Sequence, residues 1–256
     1  MKLFLSAERF IETDEPLDIS ISVNANSDSV RAWYLDKPII EPVRTDAFLG
    51  SVEEGGGVNF RNIFFNPHGH GTHTECCGHI TEKIYSINQT LKKFFVPALL
   101  VTIEPEKIWN DAHNTFDEVI TKKQLETLIN PLVEVEALII RLMPNSLKKR
   151  SVNYSDTNPA YFQKEVVDLL DEMKVVHFLT DLPSVDREID GGELAFHHRF
   201  WNVPNLPDLT RTITELIFVE NTIVDGEYIL DLQVAPIEND ASPSRPILYQ
   251  IKTVAN

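Results

Sequence analysis

A mixed α/β fold is what this chain of 256 residues predicts, and three observations carry the prediction. Two nearly continuous apolar runs that end at proline, "PALLVTIEP" (97–105) and "EALIIRLMP" (136–144), read as strands covered on both faces. Between and after them lie amphipathic stretches with helix-start signals. Hydrophobic residues make up 43% of the chain and charged residues 24%, the balance of one sizeable core, so a single domain over 1–256 is expected.

Taken in order, "LDISISV" (17–23) alternates apolar and polar residues and reads as a strand with one wet face. "YSINQTLKKFF" (85–95) is a helix candidate, followed by the strand at 97–105. "TKKQLETLINPL" (121–132) offers Thr121 as a cap and apolar residues at Leu125, Leu128, Ile129 and Leu132, the spacing of a helix face. After the strand at 136–144, "NPAYFQKEVVDLLDEMK" (158–174) predicts a helix. Asn158 would be its N-cap and Pro159 its first helical position, with an apolar stripe through Phe162, Val166, Leu169, Leu170 and Met173. "VVHFLTDLPSVD" (175–186) predicts a buried strand running into a proline turn. "ELIFVENTIV" (215–224) and "GEYILDLQVAPI" (226–237) predict two strands separated by the turn pair Asp225-Gly226. "EEGGGVNF" (53–60) and "NVPNLPDLTR" (202–211) read as loops.

Lys and Arg number 23 against 39 Asp and Glu, a formal charge of −16. Such a field repels nucleic acid and anionic membranes as main partners. An anionic small substrate stays open, because a bound cation reverses the local field. No signal peptide is expected at the N-terminus, and no segment approaches the roughly 18 to 20 uninterrupted apolar residues of a membrane span. Cys76 and Cys77 are adjacent and cannot staple distant parts of the fold, which points to a reducing, cytoplasmic setting.

Chemistry concentrates in "HGHGTHTECCGH" (68–79). His73, Glu75 and His79 fall at spacings of two and four on a turn-rich stretch, and Gly69, Gly71 and Gly78 let the backbone wrap tightly. Imidazole and carboxylate together suit zinc, manganese or iron. A thiolate at Cys76 or Cys77 is the competing reading, weakened because no nucleophile signature surrounds it; packing as small buried hydrophobes suits both better. One stretch cannot close a metal site. The downstream candidates are the pair His197 and His198 in "ELAFHHRFW" and Glu220 in the apolar run "IFVENTIV", where a lone carboxylate needs a partner or a cation.

Together these pieces resemble the metal-dependent cyclase family, which includes bacterial kynurenine formamidase and isatin hydrolase. Its hallmark, His-x-Gly-Thr-His-x-Asp-x-Pro-x-His, is matched at Gly71, Thr72, His73 and His79. "DLPSVD", "LAFHHRF", "FVEN" and "GEYILDLQVAPIENDASPSRPIL" resemble its later segments. Glu75 stands where the family has Asp, Cys77 where it has Pro, and Gly69 where it has its first His, so His68 or His70 must supply that ligand; His68 is favoured.

The resemblance implies a single swivelling β/β/α domain, assembled as a homodimer or higher homo-oligomer. It implies one or two divalent ions, Zn or Mn, held by His68, His73, Glu75, His79, His197 and Glu220. Activity would be hydrolysis of a small amide, cyclic amide or ester through a metal-bound hydroxide, with His79 and Glu220 as the catalytic pair. A non-catalytic metal- or ligand-binding protein with a degenerate site is the alternative from another class.

Overall fold

The buried apolar runs pair at the centre of one large sheet. In the computed structural model, which describes residues 1–26 and 28–254, this sheet has nine strands. They are β1 (Leu17–Asp18), β2 (His73–Glu75), β3 (Phe95–Ile103), β4 (Ala137–Leu142), β5 (His177–Thr180), β6 (Thr212–Glu215), β7 (Gly226–Asp231), β8 (Ala241–Pro243) and β9 (Ile247–Gln250). Their spatial order is β8-β2-β6-β5-β4-β3-β7-β9-β1. The four at the middle, β6, β5, β4 and β3, run parallel. All six residues of β4 are buried, as strands covered on both faces require. The mixed α/β class predicted from these runs is the class observed.

Few helices cover the sheet: α1 (Ile87–Thr90), α2 (Lys122–Leu128), α3 (Val166–Glu172) and α4 (Ala195–Phe200). α2 begins at Thr121 as predicted. The Thr121 hydroxyl accepts from the Gln124 N–H at 3.2 Å, and the Gln124 side chain accepts from the Thr121 N–H at 3.0 Å. One apolar cluster packs Leu125, Val166, Leu170 and Phe196 against Leu138 and Phe178. A second lies around Leu100, Ile139, Leu179, Ile217 and Leu230.

Three expectations change. The helix predicted over 158–174 forms only at Val166–Glu172. Its first half is taken by a small sheet, in which Tyr161–Phe162 pairs with Thr115–Ile120 while the Asn158 amide donates to Asp117 at 2.9 Å. The run 215–224 is a strand only at its start. β6 occupies 212–215, and Leu216 then turns through φ 54° so that the chain leaves the sheet while Ile217 and Val219 stay buried. Asp225-Gly226 therefore joins no hairpin; the Asp225 carboxylate instead binds Arg141 and Thr102. In the 17–23 segment only Leu17–Asp18 pairs as a strand. No helix among the described residues is long and apolar enough to cross a membrane.

Candidate metal centre

Strand alternation and register set the centre. His73 and Glu75 are two apart on β2 and so face the same side, while Thr74 faces the other and meets the Thr214 hydroxyl at 2.8 Å. β2 lies antiparallel between β6 and β8, with Glu215 directly opposite His73 and Ala241 opposite Glu75. The approach to β2 is tight: Gly71 has φ 101°, and a Cβ there would meet the Ile21 carbonyl at 2.8 Å. Thr72 holds this turn, its hydroxyl accepting from the Ile21 N–H at 2.7 Å and donating to the Leu216 carbonyl at 2.5 Å. A 3-10 turn at Cys77–His79 then brings His79 back over the strand.

His197 comes from α4. The Asp186 carboxylate accepts from the N–H groups of Phe196 and His197 at the start of that helix, at 2.8 and 3.1 Å, and from His197 Nδ1 at 2.6 Å. Nε2 is left facing Glu75 Oε1 at 3.1 Å and Glu215 Oε1 at 4.0 Å. His73 is oriented the same way, with Nδ1 on the Gly71 carbonyl at 3.1 Å and Nε2 3.3 Å from Glu215 Oε2. His68 Nδ1 lies 3.0 Å from Glu75 Oε2, and its Nε2 2.7 Å from Asp240 Oδ2. His79 sits at the mouth, 4.0 Å from Glu75 and 3.5 Å from Asp240.

The structure thus brings together His68, His73, Glu75, His79 and His197 of the sequence candidates, and leaves Glu220 outside. Glu220 is exposed on the stretch beyond β6, where its backbone carbonyl accepts from Arg141. Glu215 faces the histidines in its place. Its signal was the alternation in "TITE", which the longer apolar run that follows obscured. His70 is turned away, with Nε2 donating to the Asp36 carbonyl and Nδ1 accepting from the Asn66 N–H. His198 packs on the Val203 carbonyl. Asp240 is not among the sequence candidates; it lies just before β8, in the segment that resembles the family's C-terminal part.

Burial opposes charge on His68 and His197, yet their carboxylate partners outweigh it and raise both to about 10. Complete burial also works against the Glu75 carboxylate, but the surrounding histidines hold it well below the usual range. Partial burial works against Asp240 too, and His68 and His79 more than offset it and lower that carboxyl. So many carboxylates in one buried cluster demand positive charge, from protons or from a cation. His73 Nε2 and Glu75 Oε2 are buried and make no aligned hydrogen bond, although their neighbours stand at 3.3 and 3.0 Å. Their lone pairs face a shared space, as ligand atoms do. Candidate ligand atoms converge in three overlapping sets: His68, His73 and Glu75; Glu75, His79 and His197; His68, His79 and Asp240. The residues present fit a divalent ion.

Cys76 and Cys77 are buried, one in each of the two main apolar clusters. Burial raises both thiols, Cys77 to about 11, so neither is a thiolate at neutral pH. A cavity of about 350 Å³ opens over the histidines, walled by Trp33, Leu35 and Leu194, with Asn66 and Ser184 as polar contacts. A larger groove of about 740 Å³ beside Arg31 and Tyr34 shares the Leu35 wall but holds none of the clustered histidines or glutamates. Trp33 (φ 61°) and Leu194 (φ 42°) both carry left-handed backbone at the cavity wall, strain of the kind found at functional sites. Trp201 is fully buried behind His197, their rings 5.3 Å apart.

The model of the family described as "Putative cyclase" matches residues 17–187. The chain belongs to this cyclase family. Solved structures with the cyclase fold agree. An isatin hydrolase bound to the product analogue thioisatinate is 14% identical, with a TM-score of 0.64 over 93% of each chain. A predicted metal-dependent hydrolase from Bacillus stearothermophilus is 14% identical, with a TM-score of 0.60 over 92% of this chain and 98% of its own. A potential metal-dependent hydrolase with cyclase activity is 14% identical at 0.61, covering 92% and 97%. Comparison with curated protein sequences yields no match. At these identities the likeness is one of fold, and the nine-stranded sheet with few helices is that fold.

Proposed function

We propose that this cyclase-family chain is a divalent-metal-dependent hydrolase of a small amide, cyclic amide or ester, with Zn or Mn as its ion. The observation that carries the reading is the convergence of His68 Nδ1, His73 Nε2 and His197 Nε2 on Glu75 and Glu215 at the floor of an apolar-walled cavity. The isatin hydrolase and the potential metal-dependent hydrolase among its structural relatives support the same reading.

His68, His73, Glu75, His197 and Glu215 would hold the ion or ions. When bound, a divalent ion supplies Lewis acidity toward a carbonyl oxygen and a nucleophile from water at neutral pH. Glu75 reaches His197 with one oxygen and His68 with the other, so a single carboxylate can serve both halves of the centre. His79 is the most exposed of the four clustered histidines, at 31%, and moves the proton between the cavity and solvent. Trp33, Leu35 and Leu194 take the apolar part of the substrate and keep water off the carbonyl. About 350 Å³ is near the small end of ligand cavities, which span roughly 300–1,000 Å³, and suits a compact substrate. We place the enzyme in the cytoplasm and take it to act as a homodimer or larger homo-oligomer, supported by Ile39, Ile63 and Phe64, which expose apolar side chains on the two-stranded arm Ile39–Pro42 with Arg61–Phe64.

The test is metal content after exhaustive dialysis, followed by hydrolysis of N-formyl arylamines, fused-ring lactams and aryl esters with and without added Zn or Mn. Retained metal with chelator-reversible hydrolysis is expected. A protein that binds neither ion and hydrolyses none of the three classes refutes the proposal.

A further inference from the structure

This chain solves a positional problem. In the hallmark that this sequence resembles, the first histidine stands where this chain has Gly69, so His68 comes one residue early. A side chain at position 69 would have to displace the Leu35 end from the cavity wall: a Cβ on Gly69 would lie 2.4 Å from Leu35 Cδ1 and 3.2 Å from the Ala32 carbonyl. His70 is committed elsewhere, both ring nitrogens being taken by backbone groups. His68 must serve, and it reaches the centre differently from the other histidines. His73 and His197 each put Nδ1 on an outer acceptor, the Gly71 carbonyl and Asp186, and present Nε2. His68 is reversed, with Nε2 on Asp240 Oδ2 at 2.7 Å and Nδ1 facing Glu75 at 3.0 Å.

We propose that Asp240 is the positioning residue that makes His68 an Nδ1 ligand, and so compensates for the glycine at 69; this rests on the metal-centre reading above. An outer carboxylate that accepts one ring N–H fixes both tautomer and ring orientation of a ligating histidine. Asp240 is well placed to do this because its backbone cannot drift. Its carbonyl accepts from the Cys76 N–H at 3.0 Å, the next residue pairs with Glu75 in the sheet, and the Asn239 carbonyl before it accepts from the Ile87 N–H at 2.8 Å. The carboxylate also lies 3.5 Å from His79 Nδ1, so the test has to separate the two histidines.

The experiment titrates Zn alone into the full chain against a chromophoric chelator, with melting curves confirming that each variant folds. Asp240→Asn is expected to weaken Zn by about 10- to 100-fold, and Asp240→Glu to recover part of that loss. In a His68→Ala background the same Asp240→Asn change is expected to matter less than about threefold, because its route to the ion is gone. Imidazole ¹⁵N spectra of the wild-type Zn form should show His68 bound through Nδ1 and protonated at Nε2. Unchanged affinity in Asp240→Asn, an undiminished effect in the His68→Ala background, or Nε2 coordination of His68 overturns the assignment; the last reading needs no variant to fold. If wild type binds Zn and His68→Ala weakens it while Asp240→Asn does not, the Asp240 role fails alone. A wild-type chain that binds neither Zn nor Mn takes the metal-centre reading down with it.

Discussion

His177 gives the fold an acid limit that can be measured. It is 4% exposed on β5, opposite Thr212 of β6, and its Nδ1 meets the Thr212 hydroxyl at 2.8 Å. Burial is the main cause that lowers it from 6.5 to about 4, with Glu136 opposing the effect and Lys93 adding to it. A histidine kept neutral binds fewer protons folded than unfolded, so stability falls as the pH drops through the unfolded value of 6.5 and stops falling below about 4. That difference corresponds to about 3 kcal/mol, most of it lost by pH 4.5. His177→Asn keeps an acceptor for Thr212 and removes the titration. Urea unfolding of wild type and variant, with EDTA present, should be compared at about pH 7.5 and 4.5. Wild type should lose about 2 to 3 kcal/mol more than the variant between the two. A difference that is the same at both pH values, within about 0.5 kcal/mol, would refute the assignment of a buried neutral imidazole.

Three further outcomes follow from the centre. Glu215→Gln should weaken Zn or Mn binding by more than about tenfold and abolish hydrolysis, whereas Glu220→Gln should leave both within about twofold; metal titration of the pair distinguishes them. Asp186→Asn should reduce metal affinity by about 10- to 100-fold and also lower the melting temperature, since the same carboxylate meets the first N–H groups of α4; a variant with unchanged affinity counts against its hold on His197. Iodoacetamide should leave activity intact, because Cys76 and Cys77 are buried and protonated; rapid inactivation that disappears in Cys77→Ser would restore the thiol reading.

How much of this was legible in the sequence depends on the range over which each signal acts. The β3 and β4 runs were readable because burial on both faces leaves an unbroken apolar string. α2 was readable because Thr121 and Gln124 cap it locally. His73 and Glu75 were readable as a pair because spacing by two on a strand puts both on one face. What failed was long-range. Hydropathy cannot tell burial by packing from burial by strand pairing, so the irregular stretch 217–219, with Ile217 and Val219 fully buried, passed for strand and drew attention to Glu220. Asn158 looks like a cap, but Asp117, far back in the chain, claims its amide. Asp240 sits in a polar stretch without local pattern, and only the pairing of β8 with β2 shows that it faces His68.

That pairing has a consequence for how the protein acquires its chemistry. β2 is hydrogen-bonded on one side to a segment near residue 213 and on the other to one near residue 242, so the histidine motif lies on a strand, second from the sheet edge, whose two neighbours are made much later in the chain. A nascent chain released before residue 212 would carry His68, His73, Glu75 and His79 with nothing to pair against. Such contacts of long sequence separation close late in folding. An ion held by the proposed centre would favour the finished arrangement over every earlier one and so stabilise the native state by mass action. Metal occupancy should therefore report completion of the whole sheet, and limiting metal should leave a slow-assembling, protease-sensitive edge at β2 and β8.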